Sequence, residues 1–131
     1  MNVNQQGNLT EVQVMAAAIK MGYTVSIPYG NCDKYDQIWD KDNKLLRIQI
    51  KTSRWKDERH TAIIFNCFSV SNGKKHKYSV EDIDYFATIW DNQCYLVPVS
   101  ECSTEKTLWF ELSTNNTKCC LAKDYELQGG K

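Results

Sequence analysis

Two apolar segments separated by a turn constrain the fold of this chain more than any other feature of its sequence. The first segment covers residues 36–39 and the second covers residues 45–51, with the residues Asp-Lys-Asp-Asn at positions 40–43 between them. Turn-forming Asp and Asn between two β-prone segments are typical of a hairpin, so the pattern predicts two antiparallel strands. A tight turn at Asp42-Asn43 would place Asp36 opposite Gln49.

The second arm of this hairpin has one apolar and one polar face. Because successive side chains of a strand point to opposite sides, one face carries Leu46, Ile48 and Ile50 and the other carries Arg47, Gln49 and Lys51. The carboxylate of Asp36, the amide oxygen of Gln49 and the ammonium of Lys51 therefore converge on one polar patch. Hard oxygen ligands of this kind suit Mg²⁺, so the hairpin can build a metal site.

This patch resembles the signature of the PD-(D/E)XK nuclease superfamily, in which an Asp on one strand and an acid-X-Lys on the next bind magnesium and activate water. Gln49 stands where the family usually has a second acid, and Tyr35 stands where Pro often precedes the Asp. A Gln-X-Lys version occurs in a branch that includes small bacterial and phage endonuclease-like proteins and a group I intron homing endonuclease. The chain is similar to that branch in the order and spacing of residues 7–11, 22–23, 35–36, 48–52, 84–87 and 95–99.

The resemblance implies an α/β, restriction-endonuclease-like fold, with residues 1–131 forming a single domain whose mixed central β-sheet is flanked by helices. It also implies a catalytic group of Asp36, Gln49, Lys51 and Glu11, since related proteins carry a Glu near the start of the first helix that points at the cluster. Asp36, Gln49, Glu11 and the Ile50 carbonyl would bind Mg²⁺, with Mn²⁺ as a substitute. Lys51 would position or deprotonate the attacking water.

Each of these residues also has a local explanation. Asp36 is compatible with a strand-edge aspartate, and Lys51 is compatible with a solvated strand lysine. Glu11 is compatible with a favourable charge on the first turn of a helix, where it would interact with the helix dipole.

Length and composition indicate one soluble domain. The chain has 131 residues, of which 42% are hydrophobic and 24% are charged. No stretch approaches the roughly 20 apolar residues of a membrane span, and the N-terminus lacks the layout of a signal peptide, so we expect a cytoplasmic protein without a membrane partner. In that reducing compartment the cysteines at positions 32, 67, 94, 102, 119 and 120 are expected to be free, mostly buried thiols.

Basic residues cluster in two segments although the net charge is zero. We predict that these clusters bind the DNA phosphate backbone, since phosphate neutralisation requires local Lys and Arg. Taken singly, such side chains more often serve solubility. The predicted DNA-binding residues are Arg54, Lys56, Arg59, Lys74, Lys75 and Lys77.

The remaining elements follow from periodicity and turn residues. A helix capped by Asn8 or Thr10 is predicted to run through Lys20 and to stop at Gly22. Strands are predicted over residues 24–28 and 61–68, and a second hairpin over residues 85–90 and 94–98. Residues 54–60 and 71–79 read as loops, and Ser79 can cap a helical turn. Periodicity leaves residues 108–112 as either a strand or a helix.

Two functional classes are compatible with these observations. The first is a magnesium-dependent DNA endonuclease of the homing, phage-encoded or junction-resolving type. The second is a non-catalytic derivative of the fold that binds DNA or protein, which the presence of Gln49 favours. A double-strand cut by so small a domain needs two active sites, so a homodimer or homotetramer is expected.

Overall fold

The computed structural model describes residues 1–30, 34–111 and 120–128. These ranges contain one α-helix, ten strands and two short 3-10 helices at Val99–Glu101 and Ala122–Tyr125, so the fold is richer in strands than a sheet flanked by helices. In chain order the main elements are α1 (Val3–Lys20), β1 (Thr24–Ser26), β2 (Gln37–Lys41), β3 (Lys44–Ile50), β4 (Arg54–Trp55), β5 (Ala62–Asn66), β6 (Phe68–Ser71), β7 (Lys74–Lys77), β8 (Tyr85–Trp90), β9 (Gln93–Pro98) and β10 (Glu105–Trp109).

Helix α1 begins well before the predicted caps at Asn8 and Thr10. The side chain of Asn2 accepts a hydrogen bond from the Gln5 N–H at 2.8 Å, and the Gln5 side chain accepts one from the Asn2 N–H at 3.0 Å. This reciprocal capping box satisfies N–H groups that the first turn would otherwise leave without partners. Glu11 consequently lies in the middle of α1 and outside its first turn.

The predicted end of the helix is confirmed. Lys20 is the last residue of α1, and Gly22 has a φ of 94°, in the left-handed region that glycine adopts without steric cost. The chain then turns into β1, which is shorter than the strand predicted over residues 24–28.

The central sheet has the strand order β1-β2-β3-β8-β9. It is mixed, as predicted, because β3 and β8 are parallel whereas every other neighbouring pair is antiparallel. The β2–β3 hairpin turns at Asp42 and Asn43, whose φ values are 54° and 65°. Gln37 pairs with Ile48, a register that sets Asp36 opposite Gln49 as the sequence predicts.

The hairpin predicted over residues 85–90 and 94–98 is also confirmed, as β8 and β9. Its turn lies at Asp91 and Asn92, which have φ values of 49° and 66°. Asp and Asn tolerate this left-handed conformation better than other non-glycine residues, which is why both hairpins were visible in the sequence.

A second sheet has the order β10-β5-β4 and corrects two predictions. Residues 54–55 pair with β5 as a short strand, although residues 54–60 were predicted to be a loop. Of residues 108–112, the first two end strand β10, whereas residue 112 lies outside the described part of the chain. Strand β5 ends at Asn66, so Phe68 belongs to the next strand rather than to the strand predicted over residues 61–68.

Residues 71–79 were predicted to be a loop, but residues 74–77 pair with residues 68–71 as a two-stranded ribbon. We call β6 and β7 the basic ribbon. Its turn is Asn72-Gly73, with φ values of 53° and 76°. A polar strand has no hydrophobic alternation to reveal it, so only the Asn-Gly pair indicated a hairpin. After the ribbon, Ser79 caps a single turn as predicted, because its hydroxyl accepts the Glu81 N–H at 3.2 Å and its carbonyl accepts the Ile83 N–H at 3.2 Å.

The hydrophobic core has two parts, one on each face of the central sheet. Val14 and Ala18 of α1 pack against Trp39 and Ile48 on one face. On the other face the second sheet contributes side chains such as Phe65, which packs near Phe86. The fold is therefore three layers, with α1, the central sheet and the second sheet in that order.

The four cysteines of the described ranges are free thiols, as predicted. Cys67 and Cys94 are buried, whereas Cys102 and Cys120 are partly exposed. The same prediction for Cys32 and Cys119 falls outside the described residues. Among the helices that the structure describes, none has the length and apolarity to cross a bilayer.

Candidate active site

Asp36 immediately precedes β2, and two hydrogen bonds fix it against β3. Its N–H donates to the Ile48 carbonyl at 2.8 Å, and its carboxylate accepts the Ile50 N–H at 2.8 Å. Burial raises the pKa of the Asp36 carboxyl, although the Ile50 N–H and the Lys51 ammonium both favour its charged form. The carboxylate is thus held rigidly at the end of the polar face of β3.

Lys51 follows directly after β3. Its N–H donates to the Ala87 carbonyl at 3.0 Å, and its ammonium donates to the Phe68 carbonyl at 3.0 Å. Burial lowers the pKa of Lys51, and the nearby Asp36 carboxylate opposes that change. The side chain is therefore a partly desolvated cation beside a partly desolvated carboxylate, which differs from the solvated strand lysine considered above.

Glu11 reaches the same cluster from α1. Its pKa is raised by burial and by repulsion from Asp36, so the two carboxylates are close enough to affect each other. Because α1 begins at Val3, the helix dipole no longer explains this residue, since that effect is confined to the first turn.

Gln37 positions α1 beside β2 and was not anticipated from the sequence. It is fully buried, and its amide donates to the Glu11 carbonyl at 3.0 Å while accepting the Trp39 indole N–H at 2.9 Å. The hydroxyls of Thr10 in α1 and Thr52 after β3 lie 3.3 Å apart. The one sign of this role in the sequence was a polar residue at a strand position, which the structure shows to be buried.

Gln49 and the Ile50 carbonyl lie next to each other on β3. The Gln49 amide nitrogen is 3.5 Å from the Ile50 oxygen, at the limit of a hydrogen bond. Rotation of the Gln49 amide by half a turn would put its oxygen where its nitrogen now lies. The Gln49 amide and the Ile50 carbonyl can therefore both offer an oxygen atom on the side where Asp36 lies.

The donor set fits a hard divalent cation that retains several waters. Within residues 1–30, 34–111 and 120–128, no three His, Cys, Asp or Glu side chains form a metal-binding group. The cluster offers instead two carboxylates, one amide and one carbonyl, all oxygen donors. Burial raises the pKa of the Asp36 and Glu11 carboxyls, and a bound cation would offset the cost of burying their charges.

Tyr78 completes the cluster and was missed in the sequence. The Lys51 ammonium lies 5.4 Å from the centre of its ring. Burial raises the pKa of the Tyr78 hydroxyl, and the Asp36 carboxylate acts in the same direction. No motif marks Tyr78, because only the tertiary fold brings the end of the basic ribbon back to the end of β3.

The predicted DNA-binding residues separate into two groups. Arg54 pairs with Glu105 at 3.1 Å, Arg59 pairs with Asp57 at 2.8 Å, and the Lys56 ammonium lies 5.6 Å from the centre of the Trp109 ring. These three belong to the second sheet and the loop after β4. The lysines at positions 74, 75 and 77 are exposed on β7, and no salt bridge with a described residue engages them.

Comparisons with known proteins give the family and the fold of this chain. A family profile described as PD-(D/E)XK endonuclease matches residues 1–127. The solved structure of a bacterial homing endonuclease aligns with a TM-score of 0.78 at 18% identity, over 96% of this chain and 89% of that chain. A search of curated proteins found no match. The likeness establishes a restriction-endonuclease-like fold, as the sequence predicts.

Proposed function

The chain belongs to the PD-(D/E)XK endonuclease family, and from this membership we propose that it is a magnesium-dependent DNA endonuclease that hydrolyses phosphodiester bonds. Homing, phage-encoded and junction-resolving enzymes are all compatible with this proposal. The observation that carries it is the convergence of Asp36, Glu11 and Lys51 at one end of β3, where burial shifts the pKa of each group toward its neutral form.

The chain's own residues have distinct roles in this proposal. An ammonium has three N–H donors, and the Phe68 carbonyl accepts one from Lys51, so two remain for the attacking water and a phosphate oxygen. Asp36 keeps one carboxylate oxygen beyond the one bonded to the Ile50 N–H. Lys51 would also stabilise the charge that develops on the scissile phosphate.

Asp36, Glu11, the Gln49 amide oxygen and the Ile50 carbonyl would hold the Mg²⁺ ion, for which Mn²⁺ is a chemically similar substitute. When bound, the ion would lower the pKa of a coordinated water and offset charge on the phosphate. The DNA phosphate itself would supply a further oxygen ligand.

Cleavage of supercoiled plasmid in Mg²⁺, compared with cleavage in excess chelator, tests this function directly. We expect nicked or linear product only with the metal, and we expect Lys51→Ala to lower the rate by about 100-fold or more. Lys44→Ala is the matched control, because Lys44 is exposed at the other end of β3. Equal plasmid cleavage by Lys51→Ala and wild type would remove Lys51 from the mechanism.

The second candidate is a non-catalytic module of the same fold that binds DNA or protein. The observation that favours it is Gln49, a neutral amide in place of the usual acid. Under this alternative the protein would bind DNA or a partner protein, yet leave plasmid intact in Mg²⁺ and in Mn²⁺.

Gln49→Glu is expected to keep the site competent and to tighten divalent binding. A third carboxylate adds attraction for the cation, while it also adds repulsion beside Asp36 in the absence of metal. We therefore expect the melting temperature to fall without metal and to rise more steeply with Mg²⁺ than it does for wild type. Thermal unfolding over a Mg²⁺ titration measures both effects. Loss of folding with and without metal would identify Gln49 as a structural amide.

The three lysines of β7 are expected to contribute to DNA affinity through phosphate contacts. Replacing Lys74, Lys75 and Lys77 together should weaken binding and flatten its salt dependence, by about one unit of logarithmic slope for each lost contact. Binding to a fixed duplex at several salt concentrations measures the slope. Lys123→Ala, at an exposed lysine of the second 3-10 helix, should leave the slope unchanged. An unchanged slope in the triple variant would mean that the three lysines contact solvent and not the DNA phosphates.

A double-strand cut requires two active sites, so we expect the active species to be a homodimer or homotetramer. Sedimentation at micromolar concentration, with and without duplex DNA, measures the assembly. A monomer that cuts both strands at one site would contradict this expectation.

A further inference from the structure

The basic ribbon has two chemically different faces. Residues paired across an antiparallel ribbon share a face, and the pairs are Ser69 with His76 and Ser71 with Lys74 on one side. We call this side the polar face. The opposite side pairs Phe68 with Lys77 and Val70 with Lys75.

The polar face consists of short hydroxyl groups, one ammonium and one imidazole. Each of these groups donates hydrogen bonds, and Ser71, Lys74 and His76 are exposed. On the opposite face the Lys75 ammonium lies 4.6 Å from the centre of the Phe68 ring, so its stem covers an apolar surface. The two faces therefore differ in what they can recognise, although both carry lysines.

The polar face continues into the candidate active site. Tyr78 directly follows β7, and the centre of its ring lies 5.4 Å from the Lys51 ammonium. The Lys51 ammonium donates to the carbonyl of Phe68, the first residue of β6. A phosphodiester placed at Lys51 would consequently lie directly beside the end of the ribbon at which β6 begins.

The size and charge of the ribbon fit the major groove of duplex DNA. Its two strands of four residues lie about 5 Å apart, so the ribbon with its side chains can enter a groove about 12 Å wide. Two-stranded ribbons are among the few elements that this groove admits. The exposed lysines of β7 match the negative potential of the duplex, and no described acid pairs with them.

We propose that the basic ribbon enters the major groove next to the scissile phosphate and that Ser71, Lys74 and His76 read base edges there, whereas Lys75 and Lys77 contact the phosphate backbone. This inference rests on the proposed nuclease function for its placement beside the cut. The Lys74 ammonium only donates hydrogen bonds, so guanine, which presents the acceptors O6 and N7 in this groove, is the expected preference at the base pair that Lys74 contacts.

Selection from a duplex library with a randomised central segment tests this assignment, using the full chain with Ca²⁺ in place of Mg²⁺ to keep the DNA intact. Wild type is expected to enrich a motif. The double variant Lys74→Ala/His76→Ala should lose discrimination at neighbouring base pairs by about 5- to 150-fold each, while the remaining motif persists. Lys75→Ala is the matched control on the opposite face, and it should weaken binding to all sequences alike. Because Lys74, Lys75 and His76 are exposed, the double variant and Lys75→Ala should both keep the melting temperature of wild type.

Two results would overturn the assignment. One is an unchanged motif in the double variant, and the other is the same loss of discrimination in Lys75→Ala. Plasmid cleavage by a wild type that enriches no motif would reject base reading by the ribbon and leave the nuclease function intact. Enrichment of a motif that the double variant relaxes, without cleavage in any divalent metal, would reject the nuclease function and retain the ribbon as a DNA reader.

Discussion

Asp36→Asn is expected to reduce divalent-dependent plasmid cleavage by at least about 100-fold while raising the melting temperature of the metal-free protein by a few degrees. The asparagine oxygen still accepts the Ile50 N–H, so the backbone contact survives. What disappears is a buried charge, which the raised pKa of Asp36 shows to be unfavourable in the folded state despite the nearby Lys51.

The stability gain should depend on pH in a defined direction. Because the folded protein holds the pKa of Asp36 above its ordinary value of 3.8, the cost of the charge is present above the folded-state pKa and disappears as pH falls toward 3.8. The advantage of Asp36→Asn is therefore largest at neutral pH and fades on acidification. Thermal unfolding of both proteins without metal, at neutral pH and toward that lower limit, measures this trend.

Asp40→Asn provides the matched control, since Asp40 is an exposed aspartate on β2, the strand that Asp36 precedes. It should change neither cleavage nor melting temperature. Retained cleavage in Asp36→Asn would remove Asp36 from the site. A lowered melting temperature would mean instead that attraction to Lys51 outweighs the cost of burying the carboxylate.

Glu11→Gln is expected to lower cleavage by about 10- to 100-fold, with partial rescue by higher Mg²⁺ or by Mn²⁺. Its melting temperature without metal should not fall, because Glu11 lies outside the first turn of α1 and makes no helix-dipole contribution. Removing this carboxylate also relieves its repulsion with Asp36. Cleavage rates over a titration of each metal, together with thermal unfolding, measure these effects.

Gln5→Glu is a control that tests a helix-dipole effect separately from an effect on the candidate active site. It introduces a charge in the first turn of α1, where an acid favours the helix by about 0.3–1 kcal/mol, and it should leave cleavage unchanged. If Glu11→Gln retained full Mg²⁺-dependent activity, Glu11 would not belong to the site. Asp36 would then be its one carboxylate among the described residues.

The strand pairings at the centre of the site could be predicted because local signals specified them. Asp-Asn turns fix the register of the β2–β3 and β8–β9 hairpins, and alternation then assigns each side chain of β3 to a face. Asp36, Gln49 and Lys51 were identified on this basis. The start of α1 was misjudged because Gly7 weakens the helical pattern, whereas the Asn2 capping box strengthens it from further upstream.

Contacts between distant segments were not predictable from the chain alone. Strand β7 of the basic ribbon is polar throughout, so residues 71–79 read as a polar loop, and nothing local links Phe68 or Tyr78 to Lys51. Gln37 likewise has no motif, and its role follows from burial between α1 and β2.

The sequence by itself thus determined the hairpin, its register and the identity of the polar patch, since turn conformation and side-chain alternation are properties of short segments. Only the tertiary structure decided that Glu11 approaches Asp36 from the middle of α1 and that Tyr78 and the basic ribbon lie beside Lys51. The physical reason is that these arrangements depend on how three layers pack their apolar faces together, and that packing brings together residues whose separation along the chain carries no local signal.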